Sequence, residues 1–152
     1  MQIVDRMRPL QGELHLKVYK QGNIIAKYDS HNLVVNAGTI RVAELIAGVS
    51  TTSITHIGVG SGQADEDLSD TKMENQVLIP LIGRSANGGT AQFDFLIDHG
   101  DANGINISEF GLFFEDGVMF SHRLRKDDET GEIGVIKKMS DMFIRGYWII
   151  KC

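Results

Sequence analysis

Short apolar segments separated by turn residues recur along this chain of 152 residues. Over residues 12–19 apolar and polar side chains alternate with a period of two, which predicts a half-buried β-strand. Gln21-Gly22-Asn23 predicts a turn, and residues 24–28 return as the hairpin partner. Further apolar segments lie at 33–35, 76–82, 91–97, 105–114, 118–124, 134–136 and 142–150. This pattern is typical of a mainly β protein.

Glycine next to aspartate or asparagine marks the turns between these segments. Glu115-Asp116-Gly117 lies between two apolar segments and predicts a tight β-hairpin. Asn87-Gly88-Gly89 and residues 100–104 and 127–131 mark other turns. The chain has 17 glycines and 2 prolines, which favours many turns with positive φ over proline-stiffened linkers.

A single segment has the period of an amphipathic helix. Apolar residues spaced i, i+3, i+4 and i+7 predict one buried helical face, formed by Val42, Leu45, Ile46 and Val49. Asn36 or Thr39 is expected to cap the helix start, and Gly48 to end it in the left-handed conformation. We therefore expect an antiparallel β-sandwich or barrel-like sheet with one short α-helix near residues 38–48.

The length and composition indicate one domain. Hydrophobic residues make up 42% and charged residues 23% of the chain, which are ordinary globular values. We expect a single β-rich domain over residues 12–152. Residues 1–11 are expected to form an N-terminal arm, either flexible or docked on a neighbouring chain through Ile3, Val4 and Met7.

Several sequence features indicate the environment in which the chain folds. No apolar run approaches the ~20 residues of a membrane span, and the N-terminus lacks the apolar stretch of a secretory signal. Folding in the cytoplasm without a membrane span is the expectation. Cys152 is the only cysteine, so neither an intramolecular disulfide nor a cysteine-based zinc cluster is expected.

The charge distribution disfavours nucleic-acid binding. The formal net charge is −5, and the densest acidic runs, Asp65-Glu66-Asp67 and Asp127-Asp128-Glu129, would repel a phosphate backbone. A small basic group is expected to be a solvated strand face or hairpin end, namely Arg123, Arg125, Lys126, Lys137 and Lys138.

No motif for a cofactor or metal is complete. Gly58-Val59-Gly60-Ser61-Gly62 lacks the lysine of a P-loop and precedes acidic residues, so we interpret it as a turn at a strand end. Residues 98–104 resemble a calcium loop, but the register places His99 and Phe110 at the first and twelfth ligand positions. Residues 65–70 are expected to form a solvated acidic loop, with cation binding by Asp65, Asp67 and Asp70 as the alternative. No cofactor is expected.

Catalytic signatures are also missing. The histidines have no zinc-ligand spacing, and no Gly-x-Ser-x-Gly elbow occurs, although a dispersed triad is recognised only by geometry. Glu109 lies inside an apolar run and is expected to face solvent or to be hydrogen-bonded. The aromatic residues late in the chain, including Tyr147 and Trp148, are expected to pack in the core or sheet, with sugar stacking as the alternative.

The order of four segments carries a family resemblance. They are Asn32-Leu33-Val34-Val35-Asn36-Ala37-Gly38, the run Ile54-Thr55-His56-Ile57-Gly58-Val59-Gly60-Ser61-Gly62, Asp101-Ala102-Asn103-Gly104, and Ile107-Ser108-Glu109-Phe110-Gly111-Leu112-Phe113. Together with the helix, they resemble tail-fibre, tail-collar and baseplate-associated structural proteins of tailed bacteriophages, over residues 12–150.

The resemblance implies a virion structural protein, located in the tail and made in the host cytoplasm. It would act as an assembly adaptor or fibre-attachment module of the tail or baseplate, without catalytic residues. Its partners would be other tail or baseplate proteins and copies of itself, as a trimer or a hexamer-related assembly. The matching glycines are expected to be structural, namely Gly38, Gly58, Gly60 and Gly111, with Gly48 added by the helix end.

Two other functions remain open from the sequence. One is a carbohydrate- or receptor-binding β-sandwich module, and the other is a hydrolase with a dispersed site that uses His56, His99 or His122. The candidate interface residues are Ile3, Val4 and Met7 in the arm and Tyr147 and Trp148 near the end of the chain.

Overall fold

A computed structural model describes residues 10–152 of the chain. The candidate interface residues Ile3, Val4 and Met7 therefore lie outside the described residues. Strand β1 begins at Gln11, one position before the predicted start of the domain.

Eleven strands and one helix follow one another within residues 10–152. In chain order they are β1 (Gln11–Lys20), β2 (Asn23–Val34), α1 (Asn36–Ile46), β3 (Ile54–Gly60), β4 (Val77–Pro80), β5 (Gly83–Asn87), β6 (Thr90–Ile97), β7 (Asn106–Ile107), β8 (Glu109–Phe114), β9 (Met119–Leu124), β10 (Ile136–Lys137) and β11 (Met142–Lys151).

Nine of the strands form one antiparallel sheet in the order β4-β3-β8-β9-β2-β1-β11-β6-β5. Its two edge strands, β4 and β5, are consecutive in the chain and are separated only by Leu81 and Ile82. The sheet therefore curls into a half-barrel. Arg84 of β5 spans the gap, since its Nη1 donates to Ser53 Oγ at 3.1 Å and to the Ile54 carbonyl at 3.2 Å. The predicted fold class, a barrel-like antiparallel sheet with one short helix, is confirmed.

The main core fills the inside of the curl. Its largest side chains include Trp148, Phe95 and Phe110, all 0% exposed. They alternate along their strands with residues that face outward, as the period of two requires. The predicted hairpins form at Gln21-Gly22, where φ is +50° and +80°, and at Gly117, where φ is +86°.

Two strand predictions need correction. Strand β2 is longer than the predicted hairpin partner, residues 24–28, and runs unbroken through Asp29 to Asn32, because these residues pair in register with β1 from His15 to Gly12. Strand β5 was not predicted, since its sequence, GRSAN, is polar and mostly exposed. An edge strand with no buried face leaves no hydrophobic period to detect.

The helix forms where expected, but its cap and its exposed side differ from prediction. Neither Asn36 nor Thr39 caps it: the N-cap is Val35, which makes no side-chain cap bond, and the Asn36 N–H donates to the Leu68 carbonyl at 2.8 Å. Val42 and Leu45 pack against the core. Ile46 and Val49 are 83% and 76% exposed, so half of the predicted buried face is wrong.

Candidate functional site

Residues 61–76, here called the strap, connect β3 to β4 and pack on the side of β8 that faces away from the main core. Met73 of the strap is 6% exposed and forms a second small core with Val35, Phe113 and Met119. Both faces of β8 are thereby buried. The acidic segment inside the strap is largely solvent-exposed, as expected, at Asp65 and Asp67, while Glu66 and Asp70 are half-buried.

Glycines make room for this layer. Gly58 and Gly111 are directly paired between β3 and β8. A Cβ added at Gly58 would overlap the Phe113 ring, and one at Gly60 would lie 2.7 Å from Met73 Cβ. At Gly111 it would lie 2.9 Å from the Phe113 ring. Because glycine has no side chain, Phe113 and the strap can lie flat on the sheet at these positions.

Two other glycines of the predicted set act at the helix. A Cβ on Gly38 would overlap the backbone carbonyl oxygen of Phe120, so this residue lets α1 approach β9 closely. Gly48 has φ of +73°, and its N–H bonds to the Leu45 carbonyl at 3.2 Å, as a left-handed residue after a helix does.

Glu109 anchors the strap from β8. Its side chain is about as buried as the core, with the residue 4% exposed. The carboxylate accepts hydrogen bonds from the backbone N–H groups of Gly62 and, at 3.2 Å, Glu74. Glu109 was expected either to face solvent or to be hydrogen-bonded. It is hydrogen-bonded.

His122 of β9 connects Glu109 to a second strap carboxylate. Its Nε2 lies 2.8 Å from Glu109 Oε1 and its Nδ1 lies 2.7 Å from Asp70 Oδ2. Burial alone would lower the pKa of His122, but the hydrogen bonds to Glu109 and Asp70 outweigh it, and the net shift of the pKa is upward. A protonated imidazole donates to both carboxylates. We call these three side chains the Asp70–His122–Glu109 bridge.

The bridge resembles part of a catalytic triad but has a different geometry. A triad requires one imidazole nitrogen to face a hydroxyl or thiol nucleophile, whereas both nitrogens of His122 face carboxylates. The other two histidines considered for a hydrolase have other partners: His56 Nδ1 lies 2.7 Å from Thr55 Oγ1, and His99 Nδ1 lies 3.0 Å from the Ser140 carbonyl oxygen. None of these contacts joins one of the three histidines to another.

Two acidic residues of the strap pair with cations at and just after the end of β9. Glu66 Oε1 lies 3.4 Å from Arg123 Nη1 and accepts from the Leu124 N–H at 2.7 Å. Asp65 pairs with Lys126 at 3.2 Å. Arg123 is 8% exposed, so the expectation of a solvated basic face is wrong for this residue. Within residues 10–152 no group of three or more acidic, histidine or cysteine side chains is arranged to hold a metal ion.

Lys138 is bound by the segment that resembles a calcium loop. It is 0% exposed, and its ammonium donates to Asn103 Oδ1 at 2.8 Å, the Met139 carbonyl at 3.1 Å and the His99 carbonyl at 3.4 Å. Burial lowers the pKa of Lys138, and the nearby carboxylates of Asp101, Asp98 and Asp141 oppose that shift. The ammonium of Lys138 thus binds two oxygen atoms of this segment, the His99 carbonyl and Asn103 Oδ1.

A groove of about 590 Å³ opens on the outer face of β1, β2, β11 and β6. Its side chains lie in rows across the strands. One row pairs Lys27 with Lys17 and Lys17 with Arg145, and we call these three side chains the cationic row. Aromatic rings flank it on both sides: Tyr147 stacks on His15 at 4.9 Å, and Tyr19 stacks on Phe143 at 4.6 Å.

The carboxylates beside the groove are already engaged. Asp29 accepts from His15 at 2.7 Å, which lowers the pKa of Asp29, and its other oxygen lies 3.6 Å from Lys27. Asp94 accepts from Gln92 at 2.9 Å. Among residues 10–152, no carboxylate lies within 4.0 Å of the charged atoms of Lys17 or Arg145.

The two late aromatic residues in the predicted interface have different positions. Trp148 is 0% exposed and lies in the main core, so its prediction as an interface residue is wrong. The strand period separates it from Tyr147, which is 38% exposed and lines the groove. The sequence could not show which of two adjacent aromatics faces inward.

No protein-family model, curated protein or solved structure matches this chain. Over residues 10–152, its single helix is too short to cross a membrane. The strap, the groove and the exposed apolar side chains are therefore the features of the molecule that bear on its function.

Proposed function

We propose that the chain is a structural component of a tailed-phage tail or baseplate that acts as an assembly adaptor or fibre-attachment module. One observation carries the proposal. Three of the four segments that bear the resemblance, residues 32–38, 54–62 and 107–113, are separated in the chain yet form one contiguous unit: β3 and β8 pair through Gly58 and Gly111, and Glu109 binds the backbone of Gly62.

The helix start belongs to the same unit. Gly38 approaches the backbone of Phe120 in β9, and the Asn36 N–H is bound by Leu68 of the strap. Chance matches to short glycine motifs have no physical reason to pack together, whereas the motifs of a shared fold do. This convergence supports a common architecture, and the function follows from the resemblance.

The surface of α1 and its following turn fits an assembly role. Three large apolar side chains are exposed there, Ile40 at 60%, Ile46 at 83% and Val49 at 76%. Exposed apolar side chains of this kind contribute to protein interfaces where they form one patch. We propose that this surface contacts other tail subunits, including copies of the chain, because tails are symmetric assemblies.

The test is the copy number and the partners of the protein. Native mass spectrometry of the purified chain and protein quantification in particles are expected to show three, six or twelve copies. Ile46→Ser should weaken the assembly, while Val135→Ser, at a residue that is 45% exposed elsewhere, should leave it unchanged. A stable monomer without affinity for any tail component would refute the proposal.

A second candidate is a carbohydrate- or receptor-binding module, and the outer-face groove is the observation that favours it. Its volume falls in the range of ligand pockets, and it combines the exposed ring of Tyr147 and the half-buried rings of His15 and Tyr19 with charged groups. Loss of a glycan-array signal in Tyr147→Ala would support this function. Changes at Trp148 would report on folding instead, because that ring lies in the core.

A further inference from the structure

We infer that the outer-face groove binds an acidic saccharide, with the cationic row holding its carboxylates and the flanking aromatic rings contacting its sugar faces. The inference specifies the ligand class of the second candidate function and rests on it. It is independent of the assembly role.

The cationic row is electrostatically unfavourable in the free protein. Lys27, Lys17 and Arg145 lie directly opposite one another on three adjacent strands. Side chains in such positions are close neighbours, and like charges directly opposite each other destabilise a sheet. The arrangement is also unexpected from composition, because the chain as a whole has a net charge of −5.

Two of the three cations form no ion pair within residues 10–152, although the carboxylates of Asp29 and Asp94 also line the groove. Lys17 and Arg145 lie within 4.0 Å of no carboxylate there, and Lys27 reaches Asp29 only at 3.6 Å. The neighbouring cations on the same sheet are paired: Lys151 binds Glu13 at 3.0 Å, and Lys20 lies 4.0 Å from Asp141. Lys17 and Arg145 are therefore available to pair with an external anion.

The length of the cationic row indicates a ligand with more than one anionic group. Two inter-strand steps separate Lys27 from Arg145, which is roughly 10 Å at the usual strand spacing. Arg145 offers a planar fork suited to a carboxylate, and the two lysines offer point charges. A single small anion would engage only part of this row.

The aromatic rows distinguish a saccharide from a bare polyanion. Tyr147 and His15 lie on one side of the row, and Tyr19 and Phe143 lie on the other. Their stacked arrangement fixes the rings before a ligand arrives, which reduces the ordering cost of binding. Apolar ring faces beside cations complement a molecule that carries both C–H surfaces and carboxylates.

Titration calorimetry with oligogalacturonate and with oligomeric N-acetylneuraminic acid tests the inference. Two control probes separate the contributions: methyl-esterified oligogalacturonate keeps the sugar faces without the charge, and inorganic phosphate keeps the charge without the sugar. At least one acidic oligomer should bind, more weakly at higher salt, and about tenfold more tightly than the esterified oligomer.

Matched variants locate the site. The double variant Lys17→Gln with Arg145→Gln should lose about tenfold in affinity, while Lys72→Gln, which removes one charge from the exposed strap, should not. Tyr147→Ala should weaken oligomer binding and leave phosphate binding unchanged. The double variant should also melt at a higher temperature than the parent, because it removes the repulsion; a lower melting temperature would contradict the row's electrostatics.

The remaining outcomes overturn the inference in distinguishable ways. Equal binding of the esterified oligomer would retain the second candidate function and refute the acidic ligand class. Binding of phosphate alone would indicate a simple anion site. No binding of any saccharide at millimolar concentration would refute both the inference and the second candidate, while the copy number would still decide the assembly proposal.

Discussion

Nε2 of His122 lies 2.8 Å from Oε1 of Glu109, and this contact joins strands β9 and β8 beneath the strap. The same imidazole reaches Asp70 through Nδ1, so one side chain ties the sheet to the segment that covers it. Buried charged groups of this kind are costly when a partner is removed, because the remaining charge is left uncompensated.

The first prediction concerns Glu109. Glu109→Gln removes the carboxylate that receives His122 and two strap N–H groups, and should lower the free energy of unfolding by about 2–4 kcal/mol. Urea denaturation measures the loss, and faster proteolysis within residues 61–76 should accompany it. Glu129→Gln, at an exposed position, is the control. Similar stabilities for the two variants would contradict an anchoring role.

The second prediction is the pH dependence of the bridge. The pKa of His122 is raised in the folded protein, so its contribution to stability is complete below the unfolded-state pKa of about 6.5. The contribution is lost as the pH rises through the folded pKa. The stability difference between the parent and His122→Gln should therefore shrink on going from pH 6 to higher pH.

Two measurements check this sign. Denaturant unfolding of both proteins across pH gives the stability difference, and NMR titration of the His122 ring gives its folded pKa directly. A difference that stays constant or grows as the pH rises would show that the protonated imidazole does not hold the bridge.

The third prediction compares two glycines. Gly38→Ala gains about 1 kcal/mol of helix propensity, but its Cβ would overlap the Phe120 carbonyl oxygen. The clash should dominate and lower the free energy of unfolding by about 1–3 kcal/mol. Gly100→Ala is the control, because no atom lies within 4 Å of its added Cβ. A higher free energy of unfolding for Gly38→Ala would mean that α1 does not pack closely against β9.

The fourth prediction concerns Lys138. Lys138→Met keeps the aliphatic stem but removes the ammonium bound by Asn103 and two carbonyls, and should cost about 1–3 kcal/mol. Lys137→Met, at the exposed neighbouring position, should be within about 0.5 kcal/mol of the parent. Thermal or urea unfolding measures both. Equal effects at the two positions would refute the specific role of the buried ammonium.

Hairpins and the helix end were predictable because their causes are local. Gly117 and Gly48 adopt positive φ at the positions that their neighbouring residues indicated, and turn chemistry of this kind depends on a few consecutive residues. The helix start was not predictable, because its first N–H is bound by Leu68, which lies far along the chain. Local sequence cannot report a hydrogen bond to a distant carbonyl.

In the candidate sites, too, the features that depend on strand pairing could not be predicted from local sequence. Tyr147 and Trp148 are adjacent, and the strand alternates their directions, but only the register with β1 decides which one enters the core. The cationic row exists because Lys27, Lys17 and Arg145 come into register from three strands. The pairing between strands is set by the tertiary structure. A shift of the pairing register by one residue would move these side chains to the opposite face of the sheet.

By itself, the sequence determined a mainly β chain with one short helix, tight glycine turns and small residues at strand positions where the backbone is approached closely. These properties follow from short-range sterics and from the period of apolar residues. Only the tertiary structure decided that the acidic segment is a strap held by His122 and Glu109, and that three cations meet on one face. Both depend on which strands are neighbours, because hydrogen bonds and charge repulsion act between atoms close in space.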